Sequence, residues 1–261
     1  MSKRNSQEAK RAARDRLRIE RELQAKKEKT RRQLLVGGAV LAVLAVAGGI
    51  IFAVNSLGGD EDTGPLVKPA NTAGKNGTDV FIGDNTKNTL RVYEDPRCPV
   101  CASFEQSAGE NVLKGMKDNK YRLQFTLANF LDRDGAAGHG SSNALNALGA
   151  ALNVSPDAFL EYKTALYSKA FHPDEADDKF NDDSYLLKIA DTVDALKGNA
   201  AFKKDVEDGT YDTWATKMAA TFDQQGTPTL VLNGEKLTTE GTDQTPMTGD
   251  EFDKAIAAKL K

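Results

Sequence analysis

Cysteine, histidine and tryptophan are scarce in this 261-residue chain, which has two, two and one of them. Two cysteines can build neither a multi-bridge scaffold nor a four-cysteine zinc site. The histidines, His139 and His172, lie far from either cysteine in sequence and read as loop or surface residues. Asp174, Glu175, Asp177, Asp178, Asp182 and Asp183 form an acidic run, but the spacing and the glycine of a calcium loop are missing. The run reads as a solvated charge patch, and no metal is expected. Long apolar stretches are equally rare, with one exception from Leu34 to Leu57, LLVGGAVLAVLAVAGGIIFAVNSL, which carries no charge.

About 20 apolar residues suffice to cross a bilayer core of about 30 Å as a helix, so 34–57 reads as one transmembrane helix. A cleavable signal peptide competes, given Ala45, Ala47 and Gly48 within the run. Signal peptides, however, have short leaders and apolar regions of roughly 7 to 15 residues, and this leader and this run are both longer. Residues 1–33 hold 13 Lys/Arg against 5 Asp/Glu. That excess predicts a cytoplasmic N-terminus and places the rest outside, as a single-pass membrane protein with an extracytoplasmic domain. Taking the tail's +8 from the whole-chain −3 leaves −11 beyond it, a balance that argues against nucleic-acid binding there. The tail, free of Pro and Gly, reads as a solvated topogenic segment, with a helix on anionic lipid as the alternative. Residues 58–78, dense in Gly, Pro, Asn and Asp, read as a linker, and 79–261 as the folded domain.

The two cysteines stand as Cys98-Pro99-Val100-Cys101. Thr89 to Tyr93 alternates as a strand before them, ASFEQSAGENVLKGMK after them is helical although Gly109 and Gly115 weaken it, and Tyr121 to Leu127 alternates again. A thiol at a helix N-terminus is favoured as thiolate, and two thiols at this spacing can close a disulfide across one turn. The chemistry implied is thiol–disulfide exchange. A strand, a CxxC helix and a second strand form a βαβ unit, whose commonest use with this motif is the thioredoxin fold. From about 141 to 222 the sequence has helical patches and no convincing strand, with Ser155 and Pro156 as a helix start, and reads as an all-helical insert. Thr229 to Leu232, an Asn233-Gly234 turn and Glu235 to Thr238 read as a hairpin, and about Thr248 to Leu260 as a last helix burying Phe252, Ile256 and Leu260.

VYEDPRCPVCASFE, the helical insert, GTPTLVLNG and the closing hairpin and helix together resemble the DsbA-like family of extracytoplasmic thiol–disulfide oxidoreductases, in particular membrane-anchored forms of Gram-positive and actinobacterial cells. The resemblance covers residues 79–261. It implies an α/β thioredoxin fold with an all-helical insertion, preceded here by the single N-terminal transmembrane helix. It makes Cys98 the attacking and Cys101 the resolving cysteine of an enzyme that forms disulfides in exported proteins, with no cofactor. Thr227-Pro228 resembles the family's substrate-binding cis-proline loop. A membrane redox partner is implied for recycling, and a monomer is the expected state.

Two departures from the family pattern bear on function. Val100 stands where a histidine is common, so the attacking thiol is expected between the DsbA value of about 3.5 and the thioredoxin value of about 7. The buried acid often found six residues before the attacking cysteine is replaced by Val92, which leaves Glu94 as a candidate proton shuttle beside a structural or solvated reading of the same residue. Thr227 resembles isomerase-type and reductase-type members. An envelope reductase or isomerase is therefore one alternative, and a non-catalytic thioredoxin-like binding module another.

Overall fold

The structure, a computed structural model, describes residues 64–85, 87–132 and 138–260. The basic tail, the apolar run 34–57 and residues 58–63 lie outside the described residues, and within them no helix is long and apolar enough to cross a membrane.

Five strands form one sheet: β1 (Val80–Ile82), β2 (Thr89–Glu94), β3 (Arg122–Leu127), β4 (Thr229–Leu232) and β5 (Glu235–Lys236), in the order β1-β3-β2-β4-β5. Helix α1 (Pro99–Lys117) crosses between β2 and β3, the parallel pair, while every other pairing is antiparallel. The central strand β2 aligns Val92 with Phe125 on one side and with Leu230 on the other, and all three are buried. Its alternation therefore ends in the core on both edges, as a central strand requires. This is a thioredoxin-like α/β fold.

Helix α1 runs unbroken through Gly109 and Gly115. Gly115 has a steric reason: a Cβ there would sit 2.1 Å from the hydroxyl of Tyr121, whose O–H donates to the Val112 carbonyl at 2.9 Å. The glycine that weakens the helix by about 1 kcal/mol thus lets a buried tyrosine lie against it.

Among the described residues five α-helices separate β3 from β4: α2 (Gly140–Val154), α3 (Pro156–Tyr167), α4 (Asp183–Ala190), α5 (Ala200–Glu207) and α6 (Asp212–Ala219). Ser155 caps α3 by accepting from the Ala158 N–H at 3.0 Å, with Pro156 in the first turn. Helix α2 is apolar nearly all round, burying Ala144, Leu145, Ala147, Leu148, Ala150, Ala151 and Leu152, because neighbours cover it on several sides. Gly149 lets α6 approach it; a Cβ there would stand 2.9 Å from Trp214 and Tyr211. Trp214 is fully buried in this core, and its indole N–H donates to the Gly77 carbonyl at 2.6 Å. Residues 64–78, read as linker, are thus docked on the insert, with the Ala70 N–H donating to Asn153 Oδ1 at 3.0 Å and the Asn71 amide to the Leu152 carbonyl at 2.8 Å. Their Gly- and Asn-rich composition supplies turns, and turns can lie on a surface as well as bridge a gap.

The chain returns through the β4–β5 hairpin, where Asn233 and Gly234 both take positive φ, as a two-residue turn between right-twisted strands demands. β5 is shorter than the alternation to Thr238 suggests, a short exposed edge that offers little for another chain to pair with. Helix α7 (Gly249–Lys259) starts at a Thr248/Glu251 capping box and buries Phe252 and Ile256, while Leu260 just past its end packs half-buried on the core.

Candidate active site

The C-terminal end of β2 delivers Glu94 and Asp95 into a tight turn. The Cys98 N–H donates to the Asp95 carbonyl at 2.9 Å with Pro96 at the second position, where its fixed φ suits the turn. Cys98 then caps α1: its extended backbone precedes Pro99, and its sulfur accepts from the Cys101 N–H at 3.4 Å. Both cysteines are free thiols here; Cys98 is 7 % exposed and Cys101 is fully buried, whereas Val100 beside them is 37 % exposed.

Because β4 runs antiparallel beside β2, the loop before it brings Thr227-Pro228, joined by a cis peptide bond, to the same end of the sheet as the pair. Cys98 Sγ lies 3.8 Å from the Thr227 carbonyl oxygen. The structure therefore unites Cys98, Cys101 and Thr227-Pro228 from segments more than 100 residues apart.

The two thiols differ sharply in acidity. The hydrogen bond with the Cys101 thiol lowers Cys98 to about 7 against burial, helped by Thr227 and by the main-chain N–H groups of Cys101 and Val100. Burial pushes Cys101 well up, and the bond to Cys98, the charge of Cys98 and that of Glu94 add to it. A helix N-terminus with its unpaired N–H groups is the general reason the first thiol ionises before the second.

The protein-family pattern described as Thioredoxin matches residues 75–258. The chain belongs to the thioredoxin family. Among solved structures this thioredoxin-family chain is similar to MdbA, a thiol-disulfide oxidoreductase from Actinomyces oris, with a TM-score of 0.57 and 21 % identity over 78 % of this chain and 95 % of that one. It is also similar to the reduced disulfide bond oxidoreductase DsbG from Mycobacterium tuberculosis, with a TM-score of 0.55 and 24 % identity over 74 % of this chain and 85 % of that one. Oxidised DsbA from the same organism gives 0.55 and 24 %, covering 70 % of this chain and all of that one. These likenesses establish the fold. A curated relative, the serine/threonine-protein kinase PknE of Mycobacterium tuberculosis, is 29 % identical over 158 residues, 57 % of this chain and 27 % of that one. The chain spans about a quarter of that relative's length, and the kinase activity in the name is that protein's.

Beneath the thioredoxin-family cysteines lies a buried ion cluster. Glu94 is wholly enclosed, as is its neighbour Asp95. Lys163 Nζ, from α3 in the insert, is 2.9 Å from Glu94 Oε2 and 2.8 Å from Glu105 Oε1 on α1. Burial raises Glu94 to about 8, with Lys163 opposing and Glu105 reinforcing the rise. Lys163 stays above its ordinary value: burial works against its charge, but the two carboxylates outweigh that. Glu94 is therefore no solvated residue. It is a buried acid whose charge is felt at Cys101.

Several residues of the site were not singled out by sequence. Tyr167 packs against both cysteines with Leu131 and Ala102, and its hydroxyl is buried without a hydrogen-bond partner. His172, read as a loop or surface residue, stacks on Tyr167 with ring centroids 5.9 Å apart and places Nε2 3.1 Å from the Pro96 carbonyl. His139 is exposed, as expected. Asp178 of the acidic run is drawn inward by Arg97, whose guanidinium also meets Asp132 at 3.2 Å and the Glu175 carbonyl at 3.1 Å. The available signal was Lys163 itself, a cation amid Phe159, Leu160, Tyr162, Leu166 and Tyr167 on the buried, otherwise apolar face of α3. Phe222 meets the rings of Tyr93 and Phe130, with centroids 5.9 Å from each.

Proposed function

We propose that this chain is a membrane-anchored protein thiol–disulfide oxidoreductase that forms disulfides in exported proteins outside the cytoplasm. The observation that carries the reading is the asymmetry of the pair: Cys98, at a helix N-terminus beneath Thr227-Pro228, has its thiol lowered, and Cys101, one turn inside, has its thiol raised. An unpaired protein thiolate attacks Cys98 Sγ of the oxidised pair, a mixed disulfide forms there, and the Cys98–Cys101 bond breaks with its electrons going to Cys101. Glu94, buried and charge-coupled to that sulfur, supplies the proton Cys101 needs. The substrate's second thiol then attacks the mixed disulfide and leaves with a new disulfide, and Cys98 leaves as thiolate. The main-chain groups of Thr227 lie where an extended substrate would run past the sulfur.

The dithiol left behind holds two electrons that a membrane redox partner must remove, since the chain carries no further cysteine pair and needs no cofactor of its own. The apolar run 34–57 would anchor the domain beside such a partner, with the catalytic domain a monomer on its tether. Replacing Cys101 with Ser tests the sequence of events. The variant should accumulate mixed disulfides between Cys98 and exported proteins, visible as adducts that collapse under reductant; a variant that captures no adduct overturns the reading.

A second reading reverses electron flow. The Cys98 thiol at about 7 falls at the thioredoxin end of the range, and exposed Val100 offers the thiolate no charge or hydrogen bond from its side chain. Together with Thr227, these features favour a reductase or isomerase of the envelope kept in its dithiol form.

A further inference from the structure

The chain buries two consecutive acids just before its redox motif, and only the first is answered by a cation. Glu94 has Lys163; Asp95 forms no ion pair among the described residues, and adjacent Arg97 is committed to Asp132 and Asp178. Asp95 is held instead by neutral donors. Its Oδ1 accepts from the Arg97 N–H at 3.0 Å and from the Ser141 hydroxyl at 2.7 Å, and its Oδ2 from the Leu131 N–H at 3.3 Å. Its own carbonyl closes the turn by accepting from the Cys98 N–H. One side chain thus ties together the turn that presents the thiol, the first turn of α2 and the short 3-10 turn at Phe130–Asp132.

We propose that Asp95 is a positioning residue for Cys98: it fixes the turn that presents the thiol, and it shares with that thiol a buried site able to carry one negative charge. The inference rests on the reading of Cys98 as the attacking cysteine. Among the described residues no counter-cation balances a second charge there. The other ionisable groups around it are Glu94 next in the chain, Tyr167 from α3, Asp132 with Arg97, and His172 behind Pro96, and of these the tyrosine and the buried glutamic acid resist ionisation. Burial raises Asp95 to about 8 against its three donors, and the Cys98 charge adds to the rise.

With Cys98 as thiolate, Asp95 keeps its proton. When a small disulfide such as oxidised glutathione takes two electrons from the pair, Cys98 and Cys101 join and the reagent leaves as one thiol and one thiolate. The charge at Cys98 has gone, and the Asp95 proton neutralises the departing thiolate. Asp95 is then the carboxylate, and reduction reverses each step.

The test is the pH dependence of Cys98 alkylation by iodoacetamide in the full chain, with and without Asp95→Asn. The midpoint should fall by up to about one pH unit in the variant, giving up to about tenfold more thiolate below it. An unchanged or raised midpoint in a folded variant overturns the proposal. Should the variant fail to fold, the wild type decides: the Asp95 carboxyl, followed by carbon-13 resonance, should titrate at lower pH in the disulfide form than in the dithiol. Equal midpoints in the two forms overturn the coupling. Neither readout involves a protein substrate, so the chemistry of Asp95 stands or falls apart from the direction of electron flow.

Discussion

Replacing Cys98 with Ser should abolish both dithiol oxidation and insulin reduction, down to the uncatalysed rate, and leave the fold intact. Cys98 has two roles at one position. As a sulfur, Cys98 is the atom on which the mixed disulfide forms, and a hydroxyl cannot replace it in that bond. As a helix cap, it accepts from the Cys101 N–H, and serine is a better capping residue than cysteine. The variant's urea midpoint should therefore equal or exceed that of the reduced wild type. A purely structural bridge predicts the reverse pattern, with stability lost and function kept, and a CxxC loop is too short for its closure to add much stability. Residual turnover in Cys98→Ser, measured with the protein free of other thiols, would remove the proposed mechanism.

The second large effect concerns Lys163. Changing it to Met keeps much of its volume and deletes the cation that bridges Glu94 and Glu105. Breaking a buried ion cluster by removing one partner leaves uncompensated charge and typically costs about 3–5 kcal/mol. The loss should depend on pH with a definite sign. Folded Glu94 titrates near 8, far above the unfolded value of about 4.3, so the folded protein holds a proton that the unfolded chain releases. That contribution is fully present below about pH 4 and is lost as pH rises toward 8. The wild type should lose stability over this window, and Lys163→Met should lose more, being least impaired in acid where Glu94 is neutral in both folded proteins. Adding Glu94→Gln and Glu105→Gln to Lys163→Met should restore most of the deficit. Urea titrations at pH 5 and pH 8 on the single and triple variants check this; a Lys163→Met deficit equal at both values would show that lost packing, not charge, is the cause.

Much of this architecture was legible because its signals are local. β2 and β3 alternate residue by residue, the Asn233-Gly234 turn fixes the hairpin, and Ser155-Pro156 and Thr248 with Glu251 mark helix starts through hydrogen bonds within four residues. The redox pair is equally local, and its partner loop at Thr227-Pro228 was placed by family resemblance. What stayed hidden depends on contacts that no local pattern encodes. Lys163 reaches Glu94 only because α3 packs against α1 and the sheet, and Arg97 finds Asp178 only because the segment after α3 folds back over the redox turn. Gly115 reads as a helix breaker until Tyr121 is seen lying on it. The Gly- and Asn-rich segment 64–78 reads as a spacer until Trp214 is seen donating to Gly77.

The reduction potential of the Cys98–Cys101 pair, equilibrated in glutathione buffers and read by thiol trapping, tests the central claim most directly. A thiol at about 7 sets the pair to the reducing side of DsbA at about −120 mV, and a disulfide donor should still lie above about −200 mV. A potential at or below about −270 mV, in the thioredoxin range, would contradict the oxidase account and make the chain an envelope reductase.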